Sequence, residues 1–243
     1  MLVEHKALAS SHRGPAREGE GRAGVVFRLV PPRAVVFDFN GTLSNDEAIL
    51  CEIFRELFAE QGRPLSAQEY YDRLAGLSDP EIVRTWLGRD HPGVDEVVRR
   101  RVDLYTERVA AGSSIDEEAR AAVRYTADRV PVGVVSGAAR AEVESVLGAA
   151  GLLGLFAAIV SAEDVERGKP DPAGYERARS LIGAGIEARD VLAFEDTEAG
   201  IAAATGAGMR CLAVLGTLAP ERLADAEEVV ERIDVPLMER VLA

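Results

Sequence analysis

Four stretches, far apart in the sequence, carry side chains suited to chemistry. They are Asp38 after the run Ala34-Val35-Val36-Phe37, Ser136-Gly137 after Val132-Gly133-Val134-Val135, Lys169 within Gly168-Lys169-Pro170-Asp171-Pro172, and Glu195-Asp196 after Val191-Leu192-Ala193-Phe194. Three of them close runs of apolar residues, the pattern of strands covered on both faces in a parallel sheet, where ligands bind beyond the carboxyl ends. Acidic side chains at neighbouring strand ends repel one another unless a cation joins them. This predicts a hard divalent ion with oxygen ligands, and Mg²⁺ fits best because those stretches hold no His or Cys to favour zinc. The remaining groups suit a phosphate. The Ser136 hydroxyl, the backbone N–H groups of Gly41, Thr42 and Gly137, and the Lys169 ammonium would hold its oxygens while Asp38 faces phosphorus. Singly, each piece has a plainer explanation: a turn at Asn40-Gly41, a strand-to-turn step at Ser136, a solvated loop at Lys169. Their joint occurrence, in order and on matching element types, favours the site.

The elements that must position these groups alternate. Expected strands at residues 34–38, 130–136, 157–161, 190–196 and 210–215 are separated by helical periodicity at 116–129, 140–147, 173–182 and 198–205. That order specifies right-handed βαβ crossovers and an α/β, doubly wound parallel sheet. One stretch breaks the alternation. Between the first strand and residue 114, helical patterns at 46–59, 66–74, 79–87 and 95–110 follow one another without a strand, punctuated by Gly62, Pro64, Gly76 and Pro92-Gly93. Ser44 or Asn45 is expected to cap the first of these helices. The division expected is an N-terminal extension at 1–32, a core at 33–46 and 114–243, and an all-helical insert at 47–113. The extension is rich in Gly, Ala and Arg and is expected to be mobile, with a short edge strand at 24–30.

Composition narrows the partners. The 243 residues suffice for a sizeable core, and a net charge of -13 offers no basic field to attract nucleic acid or an anionic membrane surface. No apolar run approaches the roughly 20 residues of a membrane span, and the N-terminus lacks the apolar core of a signal peptide. Cys51 and Cys211 stand alone in apolar segments, as buried thiols of a cytoplasmic protein would. A monomer and a homodimer are equally compatible with the sequence.

The quoted motifs Asp38-Phe39-Asn40-Gly41-Thr42-Leu43, Val135-Ser136-Gly137, Gly168-Lys169-Pro170-Asp171-Pro172 and Glu195-Asp196-Thr197-Glu198-Ala199-Gly200-Ile201 resemble those of the haloacid dehalogenase-like superfamily, in its phosphatase and phosphomutase branch. The resemblance spans residues 33–217. It implies a Rossmann-like core with a helical cap, and a Mg²⁺-dependent hydrolase of a small phosphorylated metabolite working through an aspartyl-phosphate. By the same analogy Asp38 is the nucleophile, Asp38, Asp196 and the Asn40 backbone carbonyl hold Mg²⁺, Glu195 orients metal-bound water, and Ser136 and Lys169 bind phosphate.

The departure is Asn40, where phosphatases of this family usually carry an acid-base Asp. Its loss typically costs about 10²–10⁴-fold in rate. Four explanations stand: a slow phosphatase or one whose leaving group needs no proton; a substitute acid among Asp46, Glu47 and His91; an engineered substitution; or a phosphometabolite-binding protein without turnover. The first is favoured. A dehalogenase tolerates the amide but has no need of the Glu195-Asp196 metal motif. A sugar-phosphate mutase would place an arginine after the Gly76-Leu77-Ser78 turn, where this chain has Asp79.

Overall fold

A computed structural model of the chain describes residues 31–109 and 114–243. The expected extension, apart from Pro31 and Pro32, and its edge strand lie outside them. Six strands form one parallel sheet among the described residues: β1 (Ala34–Asp38), β2 (Val132–Val135), β3 (Phe156–Val160), β4 (Val191–Glu195), β5 (Arg210–Val214) and β6 (Glu228–Val230), in the order β3-β2-β1-β4-β5-β6. The strand order reverses between β1 and β4. That is the switch point at which a doubly wound sheet opens a crevice.

Side-chain alternation divides β1 between two layers. Val35 and Phe37 join a hydrophobic cluster on one face, while Ala34 and Val36 join a second on the other. Both faces are covered by helices, which is why the strand reads as an unbroken apolar run. The first cluster takes in α5 (Glu117–Ala127), α6 (Arg140–Ala149) and α9 (Val235–Leu242); the second takes in α7 (Ala173–Ile182) and α8 (Glu198–Gly206). Phe37 and Phe194 sit in register on adjacent strands and stack with ring centroids 5.4 Å apart directly beneath the crevice.

Between β1 and α5 the described residues fold as four successive helices, α1 (Glu47–Glu60), α2 (Ala67–Arg73), α3 (Asp79–Leu87) and α4 (Val94–Val109). Leu50, Ile53, Phe54, Leu57 and Phe58 give α1 one apolar stripe that packs with Tyr70, Ile82, Val83 and Trp86. Ser66 caps α2 with a reciprocal box to Glu69, and Asp116 caps α5 through the Ala119 N–H at 2.8 Å. The start of α1 differs from expectation. Asp46, not Ser44 or Asn45, occupies the cap position and makes no cap hydrogen bond; its carboxylate instead accepts from Ser44 at 2.5 Å and from the Tyr105 hydroxyl. β6 and α9 were not anticipated either. Asp234 caps α9 through the Leu237 N–H at 2.8 Å.

Removing the Phe194 ring should be costly, because it empties space at the centre of the sheet. Phe194→Ala is expected to lower unfolding free energy by about 3–5 kcal/mol in a urea titration followed by circular dichroism. A loss below about 1 kcal/mol would show that the Phe37–Phe194 stack is not a keystone of this core.

Candidate active site

Because β1 and β4 pair with Phe37 opposite Phe194, their last residues, Asp38 and Glu195, emerge side by side, and Asp196 follows at once. One carboxylate oxygen from each of Asp38, Glu195 and Asp196 lies within 4.8 Å of the other two. Their residues are only 6%, 0% and 1% exposed. One cation serves this group directly: Lys169 Nζ donates to Asp38, lies 2.7 Å from Glu195 Oε1, and donates to the Val135 carbonyl at 3.3 Å.

Neutral donors complete the shell. Tyr175 of α7 donates its hydroxyl to Glu195; Thr42 donates to Asp196 at 3.2 Å, and Thr217, just past β5, donates to the other Asp196 oxygen. Tyr175 and Thr217 were missed from the sequence. Nothing in a helical tyrosine or a loop threonine distinguishes them from surface residues until the fold brings them to the acids.

Burial raises Glu195 to about 7 against the pull of Lys169, and burial together with the Asp38 charge raises Asp196 well above its ordinary range. Burial works to lower Lys169, but Asp38 and Glu195 outweigh it, so its ammonium is held above its usual value. Three buried carboxylates thus stand together with one ammonium, which touches only Asp38 and Glu195. Asp38 Oδ2 is buried with no hydrogen-bond partner among the described residues. A divalent cation fits such a donor set: it would balance the charge and occupy the idle oxygen, and the all-oxygen ligands suit Mg²⁺.

Two glycines allow the acids to approach the backbone. Gly41 has φ +79°, and a Cβ there would stand 1.9 Å from Asp196 Oδ2 and 2.6 Å from Thr217 Oγ1. A Cβ at Gly200, in the first turn of α8, would fall 1.8 Å from Glu195 Oε2. The sequence needs glycine at both positions for the acids to keep their places.

The expected phosphate groups are distributed over three spaces. A cavity of about 30 Å³ above Asp38 is lined by Asn40, Gly137, Lys169 and Asp196 from below and by Glu47, Tyr70, Asp79 and Arg101 from the helical insert. Ser136, with Gly137 and Lys169, lines an adjoining cleft of about 220 Å³ under α3. Gly41 and Thr42 face a third space, of about 280 Å³, beside Thr217. The Gly41 N–H, expected among the phosphate donors, is spent on the Ser44 carbonyl at 2.8 Å.

Asn40 is held from both sides. Its Nδ2 donates to Asp46 at 3.1 Å, and its Oδ1 accepts from Ser136 Oγ at 3.4 Å. Of the three substitute acids, Glu47 alone lines the cavity with Asp38, where it accepts from the Tyr70 hydroxyl at 2.8 Å. Asp46 is sealed behind Asn40 by Ser44 and Tyr105. His91 sits in the connection between α3 and α4, its ring accepting from the Gly93 N–H at 3.2 Å.

Comparison with known proteins agrees with this geometry. The sequence model of the haloacid dehalogenase-like hydrolases matches residues 35–214. The chain is 32% identical over 215 residues to validoxylamine A 7'-phosphate phosphatase of Streptomyces hygroscopicus subsp. limoneus, covering 82% of this chain and 93% of that one. It is 27% identical over 188 residues to phosphoglycolate phosphatase of Yersinia pseudotuberculosis, covering 74% and 79%. The fold superposes on a crystal structure of a CbbY mutant from Rhodobacter sphaeroides in complex with xylulose-(1,5)bisphosphate, with a TM-score of 0.73 at 24% identity over 83% of this chain and 95% of that one. With the motifs, the sheet order and the acid cluster in agreement, the chain belongs to the haloacid dehalogenase-like hydrolase family.

Proposed function

We propose that this protein is a Mg²⁺-dependent phosphatase of a small phosphomonoester, working through an aspartyl-phosphate on Asp38, with the helical insert of residues 47–113 acting as a cap. The observation that carries this reading is the buried group of Asp38, Glu195 and Asp196 at the switch point of the sheet, with one ammonium paired to the first two. The relatives named as phosphatases support the substrate class. Its free, buried cysteines suit a reducing cytoplasm, and among the described residues no helix is long and apolar enough to cross a membrane.

Asp38, Asp196 and the Asn40 backbone carbonyl would hold Mg²⁺, which would supply charge neutralisation between nucleophile and phosphoryl oxygens. Asp38 Oδ attacks phosphorus while the bond to the leaving oxygen breaks, and Lys169, with the Ser136 hydroxyl and the Gly137 N–H, steadies the phosphoryl oxygens. Water then attacks the acyl phosphate, releasing phosphate and restoring the Asp38 carboxylate. Glu195, fixed by Lys169 and Tyr175, would orient water beside the bound cation. The cavity of about 30 Å³ has room for little more than two waters, so substrate enters only when the insert moves away.

Asn40 cannot donate a proton to the leaving alkoxide and return it from water, and Asp46 and Ser136 keep its amide occupied. Good leaving groups are therefore favoured. p-Nitrophenyl phosphate and acetyl phosphate should turn over with Mg²⁺, and Asn40→Asp should raise kcat on alkyl phosphates by about 10²–10⁴-fold with a smaller gain on these two. Asp38→Asn should abolish turnover and beryllofluoride labelling. If neither activated substrate reacts while Asn40→Asp creates activity, the natural protein is a phosphometabolite-binding protein.

Metal dependence has its own check in a thermal melt. Mg²⁺ at about 100 times its Kd should add about 2.7 kcal/mol of stability. Asp196→Ala should remove that gain; Asn40→Ala, which keeps the backbone carbonyl, should preserve it. Loss of the gain in Asn40→Ala would mean that the carbonyl is not a ligand.

A further inference from the structure

The insert's side of the cavity carries more negative than positive charge. Glu47 on α1 and Asp79 on α3 both line it, and so does Arg101 on α4, which is 1% exposed. Arg101 is ion-paired on two sides: its Nε lies 3.4 Å from Asp79 Oδ1 without a hydrogen bond, its guanidinium donates to Glu142 in the first turn of α6, and its Cζ lies 5.0 Å from the Tyr105 ring centroid. Two carboxylates, Asp79 and Glu142, thus pair with one guanidinium, and a third, Glu47, lines the same cavity. Glu142 Oε1, buried, has no hydrogen-bond partner among the described residues. Below the cavity, Lys169 is likewise taken up by Asp38 and Glu195.

Resting on the phosphatase reading, and going beyond it to the substrate class, we propose that Asp79 and Glu47 select the leaving half of the substrate as acceptors of a protonated amine. The substrate is then an amino-alcohol or amino-sugar monophosphate, with its phosphate on Asp38 and its ammonium between Asp79 and Glu47. A second phosphate is disfavoured because the Arg101 charge is matched by Asp79 and Glu142, while two cavity-lining carboxylates would repel it. Leu50, Phe54, Leu77 and Ile82 supply the apolar remainder of the lining, against which a carbon skeleton packs. Burial raises Glu47 to about 7 and also raises Asp79, against the Tyr70 hydroxyl on the first and the Arg101 guanidinium on the second, so an arriving cation adds support to their ionised forms. Tyr70 fixes Glu47 through its hydroxyl at 2.8 Å, which sets the direction of the second acceptor.

Matched substrates test this on the full chain with Mg²⁺ at pH 7. kcat/KM is measured for glucosamine 6-phosphate against glucose 6-phosphate, for 3-aminopropyl phosphate against 3-hydroxypropyl phosphate, and for fructose 1,6-bisphosphate. At least one amine should be preferred over its hydroxyl partner by about tenfold, equivalent to about 1.4 kcal/mol, with the bisphosphate the poorest. Asp79→Asn should cut that preference below about threefold and, by freeing Arg101, improve the bisphosphate relative to the monophosphates. Glu47→Gln provides a second variant, should Asp79→Asn fold poorly, and should also weaken the preference. No amine preference in either pair, a preferred bisphosphate, or an amine preference unchanged in both variants would overturn the proposal. If p-nitrophenyl phosphate is not hydrolysed, the phosphatase reading has failed by itself. Calorimetric titration of the same ligand pairs into the Mg²⁺-loaded protein then decides the amine preference separately, by the same ratios.

Discussion

A single buried ammonium makes this crevice possible. Lys169 touches both Asp38 and Glu195, and those acids come from the two strands that meet where the sheet order reverses. Without it, carboxylates buried side by side would carry an uncompensated repulsion, and breaking such a pair typically costs about 3–5 kcal/mol. One cation nevertheless falls short of three acids. The site is therefore folded around a charge deficit that a divalent ion fits, and the hydroxyls of Thr42, Thr217 and Tyr175 hold the acids in place around it.

The same group of acids dictates the local sequence packed against it. Gly41 and Gly200 are required because carboxylate oxygens occupy the volume that a side chain would take. Asn40 links this group to the insert: Ser136 binds one end of its amide, and Asp46, itself gripped by Ser44 and by Tyr105 of α4, binds the other. A residue beside the nucleophile thus senses the position of α4 through hydrogen bonds, and a neutral amide does this without adding a fourth carboxylate to the cluster.

Much of this was legible in the sequence. Strands ending in Asp38, Val135 and Glu195 announced themselves because both faces are buried, so every position is apolar until the strand stops. Helices α3 and α7 begin and end where their periodicity does. β6 escaped because it is a three-residue edge strand, Glu228–Val230, only partly buried and embedded in acidic residues. Within the site, acids at strand ends were visible, but their donors were not. Tyr175 reaches Glu195 from a helix 20 residues earlier, and Thr217 reaches Asp196 from a loop 21 residues later, spacings with no local periodicity to betray them. Arg101 was hidden for a related reason: it stands in a run of three arginines, Arg99-Arg100-Arg101, and the third alone is buried.

That burial changes how the two walls of the cavity divide the work of recognition. Arg100, one residue earlier on α4, pairs with Glu60 at the surface, where water screens both charges and the pair contributes little. Arg101 faces inward, and its contacts with Asp79 and Glu142 are felt at full strength because little solvent reaches them. An arginine in the cavity wall would ordinarily suggest a second anion site; here its neighbours have cancelled it and left carboxylate in excess. Under the proposed activity, attraction for the phosphoryl group comes from below, from Lys169 and the divalent ion. The wall above favours whatever part of the substrate is richest in hydrogen-bond donors. Opposite preferences on opposite walls orient a ligand before any chemistry begins, since turning it end for end would bring like charges together on the acid-rich wall.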